Sequence, residues 1–497
     1  MLHKNNIPDI RALLRDEPGR TTEMVCSSSH WRLDASRTPL TLSDWRTLFE
    51  NSGNNELRRA VDELFAGAIV NPSEHQPALH MALRAAQPGG MAPAADAAAI
   101  ELARQRLLDL SGCLYRGETR IKTILHAGIG GSDLGPRLVA DALDPGDSAV
   151  QVEWLATLDA RRISRLLNRL DPETTALVAA SKSFSTSETL AQAALIRDWL
   201  GAEGVQRIWA ATANVDRALA FGVPEENVLA FPGWTGGRFS LWSSVGLSAA
   251  ARIGPDRWQR LLAGAEQADR LLTGDLTASP AYALARVLDW LVRTGGFNTL
   301  GVVSYDPALR LLAEYLQQLV MESLGKSVDL TGAPISAHTS PMVFGGAGTD
   351  LQHSLFQALH QGTTRHPMLL LGSLKCAEGP DAWSRDQLSH LLGQASVLVN
   401  GKPAEDQSRA LPGNNPVVLM LTRAVEAESV GELLANFEHA VYLLSAIWGI
   451  NAFDQWGVEE GKRLAAEFGS VLDGRGPCPD FSMERTVAWI RRRKAED

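Results

Sequence analysis

The alternation of apolar and polar positions changes character at about residue 105. Before that point the pattern is mainly helical, broken at Pro72, Pro77 and the run Pro88-Gly89-Gly90. The alanine-rich stretch 92–103 reads as a small-residue loop running into a good helix former. From about residue 120, short apolar runs alternate with longer helical patterns. Residues 121–125 predict a strand, followed by a glycine-rich run at 128–131 and then a helix. Residues 174–180 predict a second strand, followed by a hydroxyl-rich loop and a helix from about Ser187. Residues 207–211 predict a third strand. This βαβα order predicts a parallel sheet covered by helices. A second set of strand-like runs lies at 298–304, 368–371 and 417–421, separated by helical segments. Two α/β units are therefore expected, joined somewhere in 250–290. The expected domains are a mainly helical segment over 1–105, a first α/β domain over 106–270 and a second over 271–497.

Composition narrows the function classes. Hydrophobic residues make up 45% of the 497 and charged residues 21%, which excludes wholesale disorder and a fibrous repeat. The net charge of −10 argues against non-specific nucleic-acid binding, which rests on neutralising phosphates. A local cationic pocket for one phosphate stays open. The four cysteines, Cys26, Cys113, Cys376 and Cys478, form no CxxC pair and suit neither a zinc site nor a disulfide framework. The first twenty residues carry charges throughout and lack the apolar centre of a signal peptide. No apolar run approaches the roughly 18 residues of a spanning helix, so no membrane role is expected. A reducing, cytoplasmic location is expected.

Two loops carry candidate binding chemistry. Residues 128–136 read GIGGSDLGP, between a predicted strand and a predicted helix. Glycines there let backbone N–H groups approach a ligand, and a helix N-terminus favours an anion. The run is neither G-x-G-x-x-G nor a Walker A loop. A tight turn with Asp133 as a cap is an equally good reading of the glycines alone. Residues 181–189 read SKSFSTSET, six of the nine bearing a hydroxyl. Hydroxyls and amides at a strand end and helix start suit a phosphate. A capping box of Ser185 with Glu188 is the plainer alternative. Two such loops at the carboxyl ends of neighbouring strands favour a ligand, because open α/β sheets bind there.

Candidates for acid–base work follow. In 307–326, Leu309, Leu312, Leu316, Leu319 and Ser323 form one helical stripe, while Glu314, Gln318 and Glu322 fall four apart on another side. Glu322 sits in the last turn, where its charge opposes the helix dipole; aimed into a pocket it could serve as a general base. Arg238 follows two glycines in GGRFS and could face a developing oxyanion. His353 lies near a predicted helix start and could move a proton. His353, His360 and His366 form no HExxH pattern, so no metal is expected. Lys462 is either a surface cation or a donor to ligand. Each of these side chains, taken alone, also fits an ordinary structural role.

Together these segments resemble the phosphoglucose isomerase family. The matching pieces are HQPALHMALR (75–84), GIGGSDLGP (128–136), SKSFSTSET (181–189), GGRFS (236–240), QQLVMESLGK (317–326), QHSLFQALHQG (352–362) and FDQWGVEEGK (453–462). They stand in the family's order and span nearly the whole chain. The resemblance implies two doubly wound α/β/α sandwich domains of the sugar-isomerase type with mainly parallel sheets, plus helical N- and C-terminal segments. It implies a homodimer with the active site at the subunit interface. The implied reaction is reversible conversion of D-glucose 6-phosphate to D-fructose 6-phosphate without metal or organic cofactor. Ser181, Ser183 and Thr186, with the backbone around Lys182, match the phosphate binders. Gly131 and Ser132 match sugar-binding positions, and Gln318 and Gln455 match further substrate contacts. Glu322 matches the base that moves a proton between C1 and C2, and Arg238 the group that stabilises the enediolate. His353 and Lys462 match the ring-opening groups, His353 being supplied by the neighbouring subunit.

The chain also departs from the family pattern. Ser183 and Ser185 stand where threonine is frequent, and Leu324 where asparagine is frequent. Asp350-Leu351 replaces a frequent Asn-Gly, and leucine tolerates a left-handed turn poorly, so the loop before His353 is expected to differ. Two alternatives stand beside the main expectation. One is a bifunctional glucose/mannose-6-phosphate isomerase. The other is a non-catalytic sugar-phosphate sensor, which would be expected to lose the Glu322, Arg238 and His353 set that this chain retains.

Overall fold

The computed structural model describes residues 7–50, 53–376 and 380–494. Among the described residues eleven strands form two sheets. The first sheet holds β3 (Thr123–Ala127), β4 (Gln151–Leu155), β5 (Thr175–Ala180), β6 (Ile208–Thr212) and β7 (Val228–Ala230) in the order β4-β3-β5-β6-β7. Every pairing in it is parallel. Its central strand β5 is buried along its whole length, as a sheet covered on both faces requires. The second sheet has the order β1-β2-β11-β10-β8-β9. In it β8 (Thr299–Ser304), β9 (Met342–Ala347), β10 (Met368–Lys375) and β11 (Val417–Ala424) run parallel.

The N-terminal segment is not purely helical. It supplies β1 (Val25–Ser27) and β2 (Trp31–Arg37), which pair antiparallel with each other and, through β2, with β11. The sequence carries the reason: Trp31, Leu33 and Ala35 are buried while Arg32 faces water, a period of two. The expected boundaries, residues 105 and 270, lie inside the helices Ala94–Tyr115 and Pro255–Thr273. Continuous helix, not linker, runs through both positions. The chain divides into two compact units between Ala452 and Phe453. The smaller C-terminal unit consists of the turn Trp456–Val458, the helix Glu459–Leu472, the turn Phe481–Met483 and the helix Glu484–Lys494. Its large apolar side chains Trp456, Phe481 and Trp489 are exposed. Among the described residues no helix is long and apolar enough to cross a membrane.

The helix Ala427–Trp448 is the centre of the larger unit and is buried on almost every side, including Glu432, Glu438 and His439. It ends at Gly449, whose φ of +66° forms a left-handed cap. It crosses the helix Pro255–Thr273 at backbone distance. A Cβ at Gly431 would sit 1.9 Å from the Leu261 carbonyl oxygen, and one at Gly264 would sit 2.1 Å from that of Glu428. No side chain fits at either position without separating the helices. Gly431→Ala is therefore expected to cost about 2–3 kcal/mol or more, read as a lower thermal-unfolding midpoint. Gly393→Ala provides the contrast. Gly393 lies in the helix Asp381–Asn400 with open space where a Cβ would be. There the gain in helix propensity should stabilise by about 0.5–1 kcal/mol.

Candidate active site

Two backbone turns meet at the carboxyl edge of the first sheet. The turn Gly130–Ser132 follows β3. Gly130 has φ +59°, and a Cβ there would lie 2.7 Å from Gln318 Nε2. A Cβ on Gly131 would lie 2.0 Å from the Gly237 carbonyl oxygen. The turn Gly237–Phe239 is thus seated backbone-to-backbone on the glycine turn, which requires glycine at 131, whereas a Cβ at Gly237 would meet nothing within 4 Å. Asp133 stands at the N-cap position of the helix Leu134–Ala142, but its side chain makes no capping hydrogen bond. Its carboxylate pairs with Arg137 at 3.1 Å, and Arg137 also reaches Glu314 at 2.9 Å. Burial raises the Asp133 pKa, against the pull of Arg137.

Arg238 is buried and fixed from three directions. Its Nε donates to Ser323 Oγ at 2.7 Å, its Nη2 donates to the Ala452 carbonyl, and its Nη1 reaches Glu322 Oε2 at 3.3 Å. The Glu322 side chain keeps 25% of its exposure, whereas that of Arg238 keeps 2%. The carboxylate is therefore the accessible member of the pair. Both Glu322 and Ser323 lie in the helix Leu312–Leu324, whose apolar stripe is buried as expected. The opposite row, Glu314, Gln318 and Glu322, is turned toward Arg137, the glycine turn and Arg238 respectively. Lys326 Nζ donates to the Glu322 and Ser323 carbonyls at 2.8 and 2.9 Å, which satisfies the helix end where Glu322 sits.

The hydroxyl loop follows β5. Ser181 Oγ lies 3.1 Å from Thr186 Oγ1, and Ser183 Oγ lies 2.7 Å from Ser185 Oγ. The capping box of Ser185 with Glu188 does not form. The helix Ser187–Leu200 begins after Thr186 with no side-chain cap on its amides. Phe184 adopts φ +45°, a form that costs an ordinary residue energy, and its buried ring packs on Phe221 to secure it. Burial lowers the Lys182 pKa; the Glu74 charge opposes this and the Arg238 charge adds to it.

The remaining expected site residues lie on other elements. His353 is exposed just after the helix Gly348–Gln352, and among the described residues its side chain makes no hydrogen bond. Leu351 avoids the left-handed turn altogether: it lies in that short helix and packs against the second-sheet core. Lys462 and Gln455 belong to the C-terminal unit. There Lys462 is exposed and pairs with Glu459 at 2.8 Å, and Gln455 precedes the turn Trp456–Val458.

Beneath the Arg238 turn lies a polar network whose members the motifs did not bring together. Arg84 is fully buried. It donates to both Asp269 oxygens at 2.9 and 2.6 Å and to Glu438, and lies 4.8 Å over the Trp242 ring. Trp242 Nε1 donates to the other Glu438 oxygen at 2.8 Å, and His439 Nε2 lies 2.7 Å from Asp269. The His80 ring stacks 4.7 Å from Phe239, next to Arg238. Burial pushes Glu438 up to about 7, although Arg84 pulls it back. Burial also opposes the Asp269 charge, yet Arg84 and His439 hold that carboxyl at about 2. In the sequence, His80 and Arg84 fall within the matching segment 75–84, while Asp269 and Glu438 carry no motif.

A glycine turn and a hydroxyl turn at strand ends, with a paired guanidinium and carboxylate from a nearby turn and helix, mark the carboxyl edge of a parallel sheet in an α/β protein as the candidate site. The chain belongs to the phosphoglucose isomerase family, whose family model, described as phosphoglucose isomerase, matches residues 34–483. A glucose-6-phosphate isomerase of Stenotrophomonas maltophilia (strain R551-3) is 40% identical over 492 residues, covering 97% of this chain and 96% of that one. One from Xylella fastidiosa (strain M12) is 42% identical over 433 residues, covering 86% and 85%. The crystal structure of a glucose-6-phosphate isomerase from Chlamydia trachomatis D/UW-3/Cx superposes with a TM-score of 0.86 at 27% identity, covering 99% and 97% of the two chains.

Removing the cation from the buried network strands two carboxylates. Arg84→Met is expected to lose about 3–5 kcal/mol of stability, read from thermal or denaturant unfolding. Asp269 sets a pH dependence as well. Its folded pKa lies below the ordinary 3.8, so its contribution is complete above about pH 4 and lost as pH falls toward 2.

Proposed function

We propose that this protein interconverts D-glucose 6-phosphate and D-fructose 6-phosphate by ring opening and proton transfer through a cis-enediol. The observation that carries the reading is the Arg238–Glu322 pair beside the glycine turn, in a chain of this family. A hydrogen α to a carbonyl is weakly acidic, so a base and an oxyanion stabiliser must act together. Glu322 takes the proton from C2 and returns it to C1. Arg238 is held by Ser323 and the Ala452 carbonyl, so it keeps its place when the carboxylate exchanges it for substrate. Its fixed charge meets the oxygen as that oxygen becomes negative.

The hydroxyls of Ser181, Ser183 and Thr186, with the amides around Lys182, bind the phosphate. Remote binding energy then orients C1 and C2. Gly131, Ser132, Gln318 and Gln455 contact the sugar. His353 and Lys462 open the ring. The exposure of the His353 side chain supports its service in the site of a second copy, within a homodimer. The exposed aromatic residues of the C-terminal unit support the same assembly. A cytoplasmic location belongs to this reading.

A coupled assay that follows glucose 6-phosphate formed from fructose 6-phosphate tests the activity, with mannose 6-phosphate run in parallel. Turnover of fructose 6-phosphate alone is expected. Glu322→Gln should lower kcat by roughly 10³-fold while sugar-phosphate binding changes only a few-fold. Near-normal turnover in that variant would remove Glu322 from the role of base.

A further inference from the structure

His126 is a buried polar residue in β3, a strand otherwise filled by small and apolar side chains. Its ring packs on Trp154 with centroids 4.6 Å apart. Nδ1 lies 2.8 Å from Ser248 Oγ, and Nε2 lies 2.7 Å from the Ser132 carbonyl oxygen. Burial pushes its pKa down to about 4, so the ring is neutral near pH 7. A carbonyl oxygen only accepts, so Nε2 carries the hydrogen. Nδ1 is then an acceptor, and the buried Ser248 hydroxyl in the helix Leu247–Ile253 donates to it. The tautomer is set by its two neighbours.

The path of this bond is kept clear. A Cβ at Gly128 would lie 2.7 Å from the Ser132 carbonyl oxygen and 3.1 Å from His126 Nε2. The carbonyl it holds belongs to the turn whose Gly131 rests on Gly237 and whose Gly130 faces Gln318. We propose that His126 is a positioning residue that locks the glycine turn, through the chain Ser248 hydroxyl, imidazole and Ser132 carbonyl, in the form that grips the sugar. The proposal rests on the isomerase reading above. Arg238 has its own anchors in Ser323 and Ala452, so loosening the glycine turn weakens substrate grip more than the chemical step.

Two variants separate the hold from bulk. His126→Gln keeps an N–H donor near the Nε2 position, and His126→Leu removes it. For His126→Leu, KM for fructose 6-phosphate should rise at least tenfold with kcat within threefold of native. For His126→Gln, KM should return to within threefold. A variant that merely loses folded protein would lower apparent kcat at unchanged KM. Hydrogen exchange of the amides at 128–133, without substrate, should quicken about tenfold in His126→Leu and return in His126→Gln. If His126→Leu does not fold, Ser248→Ala removes only the donor that sets the tautomer, and should show the same direction in KM and exchange. KM within twofold of native together with unchanged exchange, in the folded Leu or Ala variant, overturns the proposal. Absence of turnover by the native protein would instead defeat the isomerase reading, and exchange alone would then decide whether His126 holds the turn.

Discussion

The guanidinium of Arg84 is taken out of water entirely, and three remote parts of the chain are fixed by it. It comes from the N-terminal segment and is met by Asp269 of one helix and Glu438 of the central helix. Desolvating such a group costs several kcal/mol, and only a complete set of partners offsets that cost. Here both carboxylates, the Trp242 face and the neighbouring imidazole of His439 surround it. The same core supports the functional edge, because His80 stacks on Phe239 beside Arg238. The candidate site is held from below by electrostatics that admit little rearrangement.

Above that base, the site is assembled from main chain more than from side chains. The glycine turn and the Arg238 turn touch through their backbones, so their separation is set by covalent geometry and not by rotamers. The two side chains between them divide their tasks by exposure: the guanidinium is enclosed and anchored, and the carboxylate is reachable. Pre-set polar groups of this kind need little reorganisation when charge develops.

Much of this was legible in the sequence for physical reasons. Buried parallel strands are short apolar runs, so β3, β5, β6, β8, β10 and β11 were found within a residue or two, apart from the polar ends of β10 and β11. The strands β4, β7 and β9 were not, since they lie at sheet edges or contain glycines and polar residues. The alternation in β2 was present but was overshadowed by its helical surroundings. Motifs singled out Arg238, Glu322 and the two loops, because glycine and hydroxyl clusters leave a local mark. Arg84 closes one of the matching segments, but its two carboxylates left no mark, since nothing in spacing brings residues 84, 269 and 438 together. Ser323 was assigned to the core stripe and is indeed buried there; that it also accepts from Arg238 depends on tertiary placement alone.

The pairing of β2 with β11 has a consequence for how the chain acquires its shape during synthesis. Leu33 pairs with Met420, so one of the first strands to leave the ribosome must wait for one of the last. The first sheet, by contrast, closes entirely among residues 123–230 and can form while the rest is still being made. The edge of β2 that faces β11 stays unpaired through that interval, although β1 can pair with its other edge at once. Such a long loop closure slows the final step and exposes an open strand edge. The open edge of β2 is therefore the place where shielding by a chaperone during synthesis would matter most.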